Sequence, residues 1–169
     1  MALEVEDGTA KSDAESYVSV AEASAYHSLR GNTLWATMSE GEMEAALRRA
    51  TDYLVQTYRD QWAGYRATTT QALDWPREEV QIKDAPALSY YASDQVPQGI
   101  KNACALMAFK AASGELDADQ QPPVAREKVG PIEVEYAAGA RPSVRYPAID
   151  KMLEPFLRGG RGSIPVARA

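Results

Sequence analysis

Apolar residues recur at helical spacing in four places along the chain, each framed by start or stop signals. The clearest runs from Ser39 to Tyr58. Ser39 and Glu42 form a capping-box pair there, and Met43, Ala46, Leu47, Ala50, Tyr53, Leu54 and Tyr58 fall on one face. The opposite face, Glu44, Arg48, Arg49, Asp52 and Gln56, mixes charges of both signs and is expected to meet solvent. An earlier helix is predicted from Tyr17 to Gly31, opened by the same pairing of Ser19 with Glu22. Its apolar set, Val18, Ala21, Ala25 and Leu29, is narrow and suits docking on a larger body. A third helix is predicted from about Pro97 to Ser113, with Gly114 as the stop. Ile100, Ala103, Cys104, Met107 and Ala111 define one face, and Leu106 and Phe109 are apolar on others, the pattern of a helix surrounded by protein. A short last helix, Pro147 to about Leu157, presents Ile149, Met152, Leu153 and Phe156, with Pro155 bending or ending it.

Between Val124 and Ala137 the period changes to two, which predicts a β-hairpin. With Gly130 and Pro131 in a type II′ turn, Lys128 stands opposite Glu133 and Arg126 opposite Glu135. Val129, Ile132, Val134 and Tyr136 then share the other face. Two strands alone are marginal in water, so that face needs cover from the helical body or from another subunit. Arg59 to Val96 is broken by Gly64, Thr68–Thr70, Pro76 and Pro86 and reads as a long irregular loop, a candidate surface for a partner. The fold class expected is mainly α: a small helical bundle with one β-hairpin (about 124–137), a long irregular loop and an extended C-terminal arm. Residues 1–157 form the single domain and 158–169 the arm.

A chain of 169 residues, 45% hydrophobic and 25% charged, can bury the core of one ordinary domain. Its charge is uneven. From residue 141 onward six basic residues face two acids, a local balance of +4, which leaves residues 1–140 at −10. This acidic body with a basic tail argues against a surface that coats nucleic acid. One cysteine, Cys104, and one histidine, His27, exclude an internal disulfide and a Cys/His zinc site. The longest apolar run, Ala103 to Phe109, is too short for a membrane span, and Glu4, Glu6 and Asp7 stand where a signal peptide carries positive charge.

No nucleophile elbow, Walker loop, zincin or dinucleotide motif is present, so no enzyme, cofactor or metal is expected. His27 lacks a neighbouring nucleophile or second ligand and reads as structural; Cys104, in the most apolar helix, reads as a small buried hydrophobe. Two features point toward nucleic acid: the Arg158-Gly159-Gly160-Arg161-Gly162 run, and nine tyrosines with three tryptophans that could stack on bases. Tyr53, Tyr58 and Trp75, however, lie where packing aromatics are expected.

Several segments together carry a resemblance. Glu4–Gly8 leading to Ser16–Ser19, Ala50-Thr51-Asp52-Tyr53-Leu54, Thr70-Gln71-Ala72-Leu73-Asp74-Trp75-Pro76-Arg77 and Arg126–Tyr136 resemble, in the same order, tailed-phage head-tail connector (adaptor) proteins, members of which are often labelled DnaT-like single-stranded DNA-binding proteins. The resemblance implies a structural connector in the virion neck, made in the bacterial host cytoplasm. Such a protein forms a ring of twelve below the portal protein and docks by its C-terminal arm. It extends the channel for double-stranded DNA, without sequence-specific binding, toward a tail-side stopper or tail terminator. The alternative is a single-stranded DNA-binding replication accessory protein. Trp75, held extended before Pro76, is expected to anchor the long loop on the Ser39–Tyr58 helix. The candidate partner-contacting residues are Trp75, Arg77, Lys128, Val129, Ile132, Val134, Tyr136, Arg158, Arg161, Ile164 and Val166.

Overall fold

Both capping boxes form. In the computed structural model, which describes residues 2–114, 116, 126–129, 132–135 and 146–159, helix α1 spans Val20–Ser28 and helix α3 spans Glu40–Tyr58. The side chains of Ser19 and Ser39 accept from the backbone N–H of Glu22 and Glu42, and each glutamate returns a bond to its cap. A one-turn helix that the sequence pattern does not announce, α2 (Thr33–Ala36), follows α1 and buries Trp35. Helix α4 spans Gln98–Ser113 with Pro97 as its N-cap. Helix α5, Pro147–Leu153, passes into a 3-10 turn, Glu154–Phe156, at Pro155.

Helices α3 and α4 form the centre. Ala46, Leu47, Ala50 and Leu54 face Ile100, Ala103, Cys104 and Met107, all fully buried, and the Thr51 hydroxyl meets the Cys104 thiol at 3.4 Å. The alternation of Ala with Leu and Ile lets the helices approach closely, and each large aliphatic side chain buried there contributes about 1.5–3 kcal/mol. Helix α5 closes one end of the pair through Ile149, Leu153 and Phe156. A Cβ at Gly99 would fall 2.7 Å from the Phe156 ring, so the glycine makes room for it.

Helix α1 docks on α4 by a different face from the one its apolar spacing suggests. Ala23 and His27 point inward, while Ala21, Ala25 and Leu29 are exposed; of the expected set only Val18 is buried. The reason is polar. The His27 ring sits 4.7 Å from Trp35 and 5.3 Å from Phe109, with Nε2 at 3.0 Å from the Ala105 carbonyl oxygen and Nδ1 at 3.0 Å from the Asn32 amide nitrogen. A histidine satisfied at both nitrogens is at home in a core.

The solvated face of α3 is partly covered by the N-terminal stretch. Arg48 pairs with Glu15 at 2.9 Å and with Glu44 at 3.4 Å, and Glu44 accepts from the Leu3 N–H. That stretch is built on a buried carboxylate. Glu6 accepts from the backbone N–H groups of Gly8 (2.8 Å), Ala10 (3.0 Å) and Lys11 (2.9 Å).

Two small antiparallel pairs complete the fold. Strand β1 (Tyr65–Arg66) pairs with β2 (Arg77–Glu78), a ladder added to the one expected hairpin. Strand β3 (Arg126–Val129) pairs with β4 (Ile132–Glu135) in the anticipated register: Lys128 opposite Glu133, Arg126 opposite Glu135, Val129 opposite Ile132. The expected turn at Gly130–Pro131 and most of the arm lie outside the described residues.

Candidate functional site

The Gln71–Arg77 segment, singled out in the sequence as a partner surface, lies inside the chain. Gln71, Leu73, Asp74, Trp75, Pro76 and Arg77 are all buried. Most of their polar groups are satisfied locally, which is what allows a loop to be buried; among the described residues the Trp75 indole N–H and Asp74 Oδ2 are the exceptions. Gln71 Nε2 donates to the carbonyls of Leu73 (2.9 Å) and Pro76 (3.0 Å), and Arg66 donates to those of Gln71 and Leu73. Arg77 donates through Nε to Ala63 O (2.7 Å), through Nη2 to Gly64 O (2.8 Å) and through Nη1 to Asp74 O (3.1 Å). Burial pushes its guanidinium below the usual arginine value, with the nearby charge of Arg158 acting in the same direction. Asp74 in turn receives Arg59 Nε at 3.2 Å, and its backbone N–H donates to the buried Tyr17 hydroxyl at 3.1 Å.

Trp75 is fully buried. Its ring meets Trp62 edge to face at 5.9 Å and Phe156 at 5.8 Å, so it joins the end of α3 to the turn after α5. It anchors the loop as expected, but through Trp62 and Phe156, and neither it nor Arg77 is offered to another molecule. Two of the other motif segments also contribute to the core. Glu6, Ser16, Tyr17 and Val18, then Ala50, Thr51 and Leu54, are buried, so these shared segments hold the fold together.

The remaining candidates divide. Lys128, Val129, Ile132 and Val134 lie on β3 and β4. Arg158 is exposed where the arm begins, its backbone N–H donating to Gln61 O at 2.7 Å. Tyr136, Arg161, Ile164 and Val166 lie outside the described residues. Among the described residues, no three His, Cys, Asp or Glu side chains gather as a metal would require, and no helix is long and apolar enough to cross a membrane.

Sequence reasoning missed the exposed apolar side chains: Leu29 (84%), Leu34 (66%), Tyr65 (65%), Leu88 (70%) and Tyr90 (51%). Leu29 was hidden in a stripe that looked like a packing face. The other four stand in short or irregular elements, where no periodicity marks a side as inner or outer. Tyr65 stands opposite Glu78, and Leu88 and Tyr90 lie in the 78–95 stretch, whose acids Glu78, Glu79, Asp84 and Asp94 are exposed.

The whole chain, residues 1–169, matches the family described as "Putative DnaT-like ssDNA binding protein". The chain belongs to this family. No curated protein and no solved structure matches it. The DnaT-like family is thus represented here by a helical body whose tryptophans, Trp35, Trp62 and Trp75, are all buried.

Proposed function

We propose that this chain is a non-enzymatic structural connector of a tailed-phage neck. Copies of it assemble as a ring against the portal protein, twelve by the resemblance noted above, and pass double-stranded DNA toward a tail-side neck protein. The observation that carries this reading is the company of the exposed aromatics. Tyr65 stands opposite Glu78, and Tyr90 lies in a stretch whose four acids, Glu78, Glu79, Asp84 and Asp94, are exposed, in a body of net charge −10. Nucleic-acid affinity comes chiefly from neutralised phosphates, and single-strand binding needs aromatic platforms in a basic groove. An acidic surface that exposes leucines and tyrosines suits protein contacts and leaves passing DNA free to slide.

Family membership favours a second reading, a single-stranded DNA-binding replication accessory protein, with the basic residues from Arg141 onward supplying phosphate contacts. One pair of measurements separates the two. Light scattering with and without portal is expected to give ring formation or portal capture, and gel-shift titration with a single-stranded oligonucleotide is expected to give negligible affinity. Tight binding that weakens steeply with salt, disappears on truncation after Leu157 and ignores portal would overturn the connector reading.

A further inference from the structure

Two separate exposed apolar surfaces lie on the helical body. The first is the corner of α1 and α2. Ala21, Ala25 and Leu29 line one exposed face of α1, and Leu34 follows across the tight turn through Gly31. The corner is held in shape from beneath: the Asn32 amide lies against His27 Nδ1, and Trp35 Nε1 donates to Ser24 Oγ at 3.1 Å. From Ala23 to Ser39 there is no acid. The guanidinium of Arg30 is fixed over the Tyr26 ring at 3.7 Å, with Nη1 donating to the Tyr26 carbonyl.

The second surface is Tyr65, Leu88 and Tyr90. Strand β1 sets Tyr65 opposite Glu78, a Cβ at Gly64 would meet Val80, and Val80 O accepts from Tyr91 N–H at 2.9 Å, so these segments are neighbours. Between Glu78 and Gln95 there are four exposed acids and one base, Lys83, whose ammonium is taken by the carbonyls of Glu154 and Leu157. The corner sits by Phe109 through His27, and the second surface sits by Gly99 through Tyr91 and Phe156, ten residues or about 15 Å earlier along the helix.

We infer that these surfaces are the two halves of one contact between successive copies of this chain. The Leu29–Leu34 corner of one copy docks on Tyr65, Leu88 and Tyr90 of the next, with Arg30 against the acids Glu78, Glu79 and Asp84. The halves differ, so the contact is head-to-tail, and such contacts propagate into rings when the rotation closes. Each half is apolar, and they are opposite in charge, the complementarity that a contact between unlike surfaces needs. The inference rests on the connector reading and gives its ring a specific seam.

The test is complementation between two variants. Leu29→Glu with Leu34→Glu spoils the corner, and Leu88→Glu with Tyr90→Glu spoils the acidic half. Each is expected to weaken self-association at least about tenfold by light scattering while leaving the helical circular dichroism intact. Mixed, they are expected to form dimers that grow no further, because each still carries one good half. A Leu34→Cys chain mixed with a Leu88→Cys chain is expected to form a disulfide-linked pair under mild oxidation, and neither alone; native Cys104 is buried and does not compete. Variants that assemble like the wild type, or Leu34→Cys chains that link to one another, overturn the seam and leave the connector reading standing. A wild-type chain that is captured by portal yet never self-associates also overturns the seam. One that ignores portal and binds oligonucleotide overturns the connector reading itself.

Discussion

Arg77 Nε and the carbonyl oxygen of Ala63 meet at 2.7 Å, so a side chain of β2 ties down the backbone just before β1, which the two-residue ladder alone could not hold. With the bonds to Gly64 and Asp74, one guanidinium satisfies three carbonyls. Arg77→Ala leaves all three without it and is expected to lower the unfolding free energy by about 2–3 kcal/mol in urea titration. Arg77→Lys is expected to recover little, because a single ammonium cannot reproduce the planar fork.

Trp75 gives a second test of the same loop. Trp75→Ala opens a cavity between Trp62 and Phe156 and is expected to cost about 3–5 kcal/mol. Trp75→Phe is expected to be much milder. It keeps a ring there and removes an indole N–H that is buried without a partner among the described residues.

Capping should be measurable independently of packing. Ser39→Ala removes the side-chain acceptor from the start of the longest helix and is expected to lower stability by about 1 kcal/mol. The Ser39 backbone and hydroxyl hold the Glu42 carboxyl below the usual carboxylate range. That contribution is present above the unfolded value near 4.5 and is lost as pH falls through the folded one; the Ser39→Ala variant should therefore lose less stability on acidification than the wild type.

His27 sets a different pH window. Burial, with Arg30 nearby, holds its imidazole below the ordinary value of 6.5. The unfolded chain takes up the proton first, so stability is fully present above about pH 6.5 and declines as pH falls from there. Unfolding free energies measured between pH 7.5 and pH 5 should slope downward for the wild type and flatten in His27→Gln. A wild-type profile flat over that range would contradict the buried neutral ring. Asp52 acts in the opposite direction lower down, since partial desolvation at the helix surface, with the Glu15 charge adding to it, raises its carboxyl.

Helix α3, the body of α4 and the β3–β4 register could be read from the sequence because each depends on a local rule: a capping pair, a period of 3.6, a period of two with opposed charges. The inner face of α1 could not. Its choice depends on two hydrogen bonds from His27 to residues that periodicity does not reveal, one of them 78 positions away. The buried course of Gln71–Arg77 was equally hidden, since a polar segment advertises solvent unless its donors and acceptors close on one another. The neighbouring Trp62 and Trp75 were the available signal, two large rings in a loop that would otherwise be exposed.

Burial of Trp35, Trp62 and Trp75 also determines what light can report about this molecule. With every indole shielded from water, the emission of the folded chain lies to the blue and shifts red on unfolding, which makes it a sensitive monitor of the stability experiments above. The same shielding makes it deaf to events at the surface. A ligand or a strand of nucleic acid that settles on the exterior meets no exposed indole, so the chromophore for such a titration is best carried by the partner.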